Sequence, residues 1–255
     1  MNSFAHYPSL KNKVVYITGG ASGIGASLVI AFAQQGSKVA FVDIQDDAAS
    51  SLCESLESSA AHLPYYQNVD VVDIAALKKS IHNAMKKFGP INILINNVAH
   101  DKRHSALDVT PEEWRSGLSV NLDAAFFATQ TVIPEMQKMG GGVILNLSSI
   151  NPILGLTNMS AYVSAKAALV GLSKSLAREF GRDNIRVNAV SPGWIATERQ
   201  LATWYTPEEE ARWDKLTALS GRILPEDVAN LTLFLSADDS RKITGQQFII
   251  DAGRT

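Results

Sequence analysis

Short apolar runs alternate along the chain with segments whose apolar residues recur every three to four positions. Strands buried on both faces, each followed by a covering helix, produce that pattern, so the expected fold is α/β: a doubly wound parallel sheet of about seven strands. Residues 13–18 form the first strand, which stops at Gly19-Gly20; a helix with Ile24, Leu28, Ala31 and Phe32 on one face follows and ends at Gly36. Residues 39–42 are the second strand, closing on Asp43, and a third short strand around Tyr65-Tyr66 leads to Asp70. Residues 74–88 have helical periodicity ended by Gly89-Pro90, and residues 91–95 are the fourth strand. Thr110 is an N-cap before Pro111, and the helical pattern then runs to about Met139, where Gly140-Gly141-Gly142 breaks it.

The second half repeats the alternation. Residues 143–147 form a strand ending at Ser148-Ser149, 160–180 a long helix, 185–190 a sixth strand ending at Ser191-Pro192-Gly193. Residues 194–221, rich in Trp, Thr and Glu, read as an insertion before a last helix over 225–235 and a last strand over 247–250. Without a repeat, low-complexity tract or linker, residues 1–255 are expected to form a single domain.

Composition narrows what such a fold can do. With 255 residues, 46% hydrophobic and 19% charged, the chain can bury a large core. A net charge of −2 without any block of Lys or Arg argues against nucleic acid or an anionic membrane as partner. Cys53 is the sole cysteine, so neither a disulfide nor a cysteine-based metal site can be built, and no metal is expected. The first ten residues lack a basic start followed by an apolar run, and no stretch approaches the length of a membrane span. A cytoplasmic protein is expected.

Candidate chemistry lies at the strand ends. Tyr162 and Lys166 are one helical turn apart, so their head groups can meet at one substrate, and a nearby ammonium favours the phenolate of a tyrosine. Alone the pair is weak, since any lysine-bearing helix with a tyrosine one turn away contains it. Gly19, Ser22, Gly23, Ile24 and Gly25 stand where a strand turns into a helix; glycines there let backbone approach a diphosphate, and the helix N-terminus supplies free N–H groups. Asp43, eighteen residues after Gly25, can accept hydrogen bonds from both adenosine ribose hydroxyls. A 2′-phosphate there would meet a like charge costing roughly 1–4 kcal/mol, which favours NAD over NADP. Asp70, followed by Val71, either reaches the adenine edge or caps the next helix. Asn96-Asn97 lies at a strand's carboxyl end, and Asn121, inside a long helix, calls for a polar network or a kink.

Taken in order, the run from Thr18 to Gly25, Asn96-Asn97, Asn121, Ser149, Tyr162, Lys166 and Pro192-Gly193 resembles the short-chain dehydrogenase/reductase family over residues 13–253. The resemblance implies a Rossmann-type fold, with residues 13–100 mainly binding cofactor and 194–221 acting as a substrate lid. It also implies roles: Tyr162 as acid/base, Ser149 holding the reacting oxygen, Lys166 lowering the tyrosine pKa and bonding the nicotinamide ribose, Asn121 placing a water in a proton relay. Pro192, Gly193, Ile195 and Thr197 would lie against the nicotinamide, Asn97 beside the cofactor, Ile24 at the phosphate turn. One departure is Val98-Ala99, where the family commonly has Ala-Gly; a small shift in the following loop is expected. A homotetramer built through the helices starting at Pro111 and Ser160 is a further implication, and their small residues Ala124, Ala125, Ala128, Ala165, Ala167, Ala168 and Gly171 permit close packing.

Other segments are similar to bacterial aldose 1-dehydrogenases: Tyr7 to Leu10, Asp101 to His104, Arg199-Gln200, Trp204 to Glu208 and Asp251 to Gly253. Such enzymes oxidise the anomeric hydroxyl of sugars of the fucose, galactose, rhamnose, arabinose or xylose type. His100, Arg103, Asn151, Asn158, Trp194, Arg199, Gln200 and Trp204 fall on segments expected to surround the tyrosine and would suit sugar hydroxyls, although His100 and Arg103 could equally face solvent or another subunit, and Trp204 could simply anchor a lid. The rivals are a carbonyl reductase or secondary alcohol dehydrogenase for an apolar substrate, and an NAD-binding regulator without turnover.

Overall fold

Val14–Thr18 (β1), buried along its whole length, is an interior strand, third in order, of a seven-stranded sheet in a computed structural model that describes residues 4–255. Met1 to Ser3, the start of the segment read for a secretory signal, lie outside the described residues. The other strands are Lys38–Asp43 (β2), Tyr65–Asn68 (β3), Ile93–Asn96 (β4), Gly142–Leu147 (β5), Ile185–Pro192 (β6) and Gln247–Ile250 (β7). All neighbours pair in parallel in the order β3-β2-β1-β4-β5-β6-β7. This is the doubly wound Rossmann-type arrangement, and the order reverses between β1 and β4, opening a crevice beyond their carboxyl ends.

Alternate residues of β1 feed two cores. Val15 and Ile17 pack with Leu28 and Phe32 of Gly23–Gln34 (α1) and with Leu233 of the last helix. Val14 and Tyr16 pack on the opposite face with Leu77 and Ile81 of Ile74–Phe88 (α3, after α2 at Asp46–Leu56) and with Ala128 and Val132. Each Val, Leu, Ile or Phe among these, fully buried, stabilises the fold by about 1.5–3 kcal/mol. Tyr16 keeps its hydroxyl satisfied by Ser80 at 2.5 Å. Among the described residues no helix is long and apolar enough to cross a membrane.

From Pro111 onward the expected long helix is three pieces: Pro111–Leu118 (α4), a π turn at Ser119–Asp123, and Ala124–Met139 (α5). Thr110 caps it in a reciprocal box with Glu113, and left-handed Gly140 ends it. After β5 come Asn151–Leu154 (α6) and Ser160–Phe180 (α7). The insertion contains two short helices, Glu198–Thr203 (α8) and Pro207–Asp214 (α9), before Pro225–Ser236 (α10). Strand β6 runs two residues past its expected end because Ser191 and Pro192 pair with Ile249 and Ile250. The small residues read as an assembly face divide: Ala124, Ala125, Ala128 and Ala165 are buried in this chain's own core, whereas Ala167 and Gly171 are exposed.

Candidate active site

Helix α7 places Tyr162 and Lys166 on one side, at the carboxyl ends of β4 and β5. Lys166 is 1% exposed, and its Nζ donates to the Leu147 carbonyl at 2.6 Å while lying 5.6 Å from the Tyr162 ring centre. Burial pulls the Lys166 ammonium down to about 7. Burial also pushes the Tyr162 phenol up to about 12; a hydrogen bond from Ser149 opposes this, and the Asp101 carboxylate adds to it. The expected lowering of the tyrosine by the lysine is therefore not found in this arrangement. Desolvation acts on both groups, and the one hydrogen bond that the Lys166 Nζ makes goes to a carbonyl rather than to the phenol.

Ser149 stands two residues beyond the end of β5 and accepts the Asn151 N–H at 3.1 Å. Neighbouring Ser148 donates to the Lys166 carbonyl at 2.7 Å, which seats α7 on the strand end. Asn121 lies in the π turn, nearly sealed from solvent. Its amide donates to the carbonyls of His100 and Gly117 and accepts the His100 N–H, all within 3.0 Å. The sequence expectation of a polar network or a bend is met by both; the two amide hydrogens and one acceptor position tie the loop after β4 to the helix, which leaves the second acceptor position of Oδ1 open.

The glycine turn lies across the switch point. Gly19 and Gly23 take φ of +68° and +54°, and Ser22 precedes α1 without a side-chain cap, leaving the first helical N–H groups free. A Cβ at Gly25 would stand 1.7 Å from the Gly19 carbonyl, so the cradle exists only with glycine there. These features fit the diphosphate of a dinucleotide. Asn97 pins the turn to β4, its Nδ2 donating to the Gly19 carbonyl at 2.8 Å. Asp43 Oδ1 accepts from Ile44, Gln45 and the Gln45 side chain, while Oδ2 accepts only the Ala21 N–H at 2.9 Å, leaving it room for a hydroxyl. The Ile24 end of the turn lies under the segment after β6, where Thr197 comes 3.0 Å from the position of a Gly23 Cβ. Pro192 accepts the Ile150 N–H, and the Ile195 carbonyl accepts the Thr197 N–H. Gly193 packs on Asp251. Asp70 does not cap α3; it bonds the Val72 N–H in a turn beside buried Val71, and Asp73 is the N-cap because its carboxylate reaches the Ala76 N–H.

On the other side of Tyr162 several expected sugar-facing groups have found one another. Arg199 pairs with Asp101 at 2.8 Å, and Arg103 lies 4.1 Å over the Trp204 ring. Trp194 donates to Gln200 at 2.9 Å and stacks on Tyr205 at 3.9 Å. Asn158 takes φ of +60°, its carbonyl accepting the His104 N–H, and Asn151 Nδ2 lies 3.5 Å from the Met159 sulfur. A cavity of about 390 Å³ opens beside Tyr162, walled in part by His100, His104, Glu113 and Ser116.

A family model described as enoyl-(acyl carrier protein) reductase matches residues 19–255, nearly the whole chain. The chain belongs to the short-chain dehydrogenase/reductase family. It is 43% identical to a probable galactose dehydrogenase of Rhizobium meliloti, covering 98% of this chain and 97% of the relative. Against the D-xylose 1-dehydrogenase of Caulobacter vibrioides it is 45% identical, covering 98% and 99%. Among solved structures, 7α-hydroxysteroid dehydrogenase complexed with NADH and 7-oxo glycochenodeoxycholic acid superposes with a TM-score of 0.91 at 32% identity over 96% of each chain.

As an oxidoreductase of that family acting on CH–OH groups, this short-chain dehydrogenase has residues at its cleft that the sequence reading passed over. Asp101 was seen only as part of a similar segment, yet it is the partner of Arg199 and faces Tyr162 closely enough to act on its charge. His104 and Glu113 line the cavity, and Tyr205 reaches back to the Trp194 carbonyl at 3.1 Å. Periodicity carries no signal for any of these; the hints in the sequence are the segments Asp101 to His104 and Trp204 to Glu208 and the histidine and acidic content of residues 100–113.

Proposed function

We propose that this enzyme is an aldose 1-dehydrogenase that oxidises the anomeric hydroxyl of a free sugar to the lactone, with NAD as hydride acceptor. The observation that carries the reading is likeness along almost the full chain to two relatives named as sugar dehydrogenases. Gly19, Ser22, Gly23, Ile24 and Gly25 would hold the cofactor diphosphate, Asp43 the adenosine ribose, and Asp70 with Val71 the adenine edge. Asn97, Tyr162, Lys166, Pro192, Gly193, Ile195 and Thr197 would hold the nicotinamide end. When bound, NAD supplies an acceptor for the hydride leaving C1.

The chain's own groups handle the proton. Ser149 donates to the anomeric oxygen and fixes it beside Tyr162; the phenolate takes the hydroxyl proton as the C1–O bond becomes a carbonyl. Lys166 has two N–H bonds beyond the one given to Leu147, enough to hold ribose hydroxyls and to draw negative charge onto the phenol. Asn121 keeps the His100 loop in place and would order a relay water. Ala167 and Gly171 on α7 offer an exposed small-residue face for the partner helices of a homotetramer.

An assay of NADH formation over L- and D-aldoses, secondary alcohols and hydroxysteroids tests the reading. We expect turnover with aldoses and a kcat/KM for NAD exceeding that for NADP by about one to three decades, the effect of placing a 2′-phosphate against Asp43. Activity confined to the apolar compounds would replace the reading with that of a carbonyl reductase or alcohol dehydrogenase.

Residues 194–221 act as the lid in this reading, clasped to the loop after β4 by Asp101–Arg199 and Arg103–Trp204. Exposed, each contact is worth at most about 1 kcal/mol. The double variant Arg103→Ala with Arg199→Ala should raise the sugar KM about five- to tenfold and flatten its dependence on ionic strength. Steady-state kinetics at two salt concentrations measure both, and an unchanged KM would remove the clasp from the account.

A further inference from the structure

We propose that residues 251–255 form a strap that holds the far end of the lid down, with Asp251 as its positioning residue; this rests on residues 194–221 acting as the lid. Asp251 to Gly253, similar in sequence to the aldose enzymes, takes no part in the Tyr162 site. The segment leaves β7 where Ile250 pairs with Pro192, so it starts beside the residues proposed to face the nicotinamide. Asp251 is buried and uses both carboxylate oxygens. Oδ1 accepts the Gly253 N–H, and Oδ2 accepts the Thr255 N–H and hydroxyl, each at 2.9 Å. These bonds curl the chain end into a tight turn in which Ala252 takes φ of +58°. An alanine enters that left-handed region only where its surroundings hold it there, so the turn is imposed on the chain.

The turn aims one group at the lid. The Ala252 carbonyl accepts the N–H groups of Ala218 at 2.8 Å and Leu219 at 3.0 Å, which uses both of its lone pairs. A Cβ on Gly253 would stand 2.7 Å from that of Ala218, so strap and lid are in direct contact. One residue on, the Arg254 guanidinium lies 5.8 Å over the Trp213 ring, which stands edge-on to Trp194 at 5.6 Å. Contact is thus continuous from the chain end to the aromatic stack of Trp194 and Tyr205. The other fixed points of the lid are its base, where Ile195 pairs with Ile223, and the clasp of Asp101–Arg199 and Arg103–Trp204. Without the strap, residues 207–221 can swing on that base. None of the strap's bonds involves Ser149, Tyr162 or Lys166, so its loss weakens substrate binding and leaves the proton transfer intact.

The experiment compares Asp251→Ala, Asp251→Asn and Arg254→Met with the wild type, using whichever aldose or alcohol the wild type turns over best. Asp251→Ala should raise KM for that substrate about 5- to 30-fold, the effect of losing one or two hydrogen bonds that hold the lid, with kcat within about threefold. Asp251→Asn, whose amide oxygen still accepts, should stay within about threefold of the wild type. Arg254→Met keeps a stem over Trp213 without the charge and should raise KM about two- to fivefold. Trypsin should cut Asp251→Ala faster after Arg212 and Lys215, both exposed in the lid, while the melting temperature stays within about 5 °C. Arg254→Met carries both readouts if Asp251→Ala does not fold. Unchanged KM, unchanged cleavage, or a loss carried by kcat instead of KM overturns the strap. If the Arg103→Ala with Arg199→Ala double variant raises KM and Asp251→Ala does not, the strap alone falls; if neither does, the lid reading falls with it.

Discussion

Tyr162→Phe is expected to lower kcat about 10²- to 10⁴-fold, the range that a positioned acid or base contributes, with KM for NAD within about twofold. The phenyl ring keeps its place on α7, so only the proton acceptor is lost. The same tyrosine sets the pH profile. In the cofactor-free protein its phenol is pushed up to about 12, so at neutral pH few molecules hold the phenolate that oxidation needs. Oxidation should speed up as pH rises from 7 toward 10, by at most about tenfold per unit, and reduction of the lactone should slow. Rate profiles in both directions measure this. A phenylalanine variant turning over at the native rate would remove Tyr162 from the chemistry.

Lys166→Met should lower kcat by about 10²-fold and raise KM for NAD by about tenfold if, as proposed, one side chain serves both phenol and ribose. The variant should also be more stable than the wild type near neutral pH. Lys166 titrates at about 7 in the folded protein, against 10.5 for an ordinary lysine. Between those values the unfolded chain binds more protons, so wild-type stability rises with pH across that window, by at most about 1.4 kcal/mol per unit. Methionine abolishes that dependence. Thermal melts of both proteins at pH 7 and 9.5 should show the gap narrowing; parallel melts would contradict the burial of an ionisable lysine.

The sequence told most where a feature was local and periodic. Strand alternation, the Gly36 and Gly140 stops, the Thr110 cap and the glycine turn all follow from residues within one or two turns of each other, and the parallel sheet follows from strand–helix alternation. What it could not show depends on encounters between distant segments. Arg199 and Asp101 are 98 residues apart, and their pairing turns toward a carboxylate a guanidinium that the sequence had offered to the sugar. The Tyr162 phenol was expected low because a lysine stands one turn away. That expectation counted charge and omitted desolvation, which depends on how α7 is buried against β5. Asn121 was legible as an anomaly within a helix, but not the form the anomaly took.

That form governs how two helices work. An α-helix turns about 100° per residue, so the one residue that a π turn adds shifts the buried stripe of everything after it by about that angle. Before Ser119, α4 packs on α7, the helix of Tyr162; after Asp123, α5 packs on α3 and the sheet. A regular helix of the same length would keep one phase and could serve one of these neighbours, not both. Deleting a single residue within Ser119–Asp123 is thus a rotation of one helix half against the other; the Ala124 N–H closes the wide turn on the Ser119 carbonyl, and the Asn121 amide takes up the Gly117 carbonyl beside it.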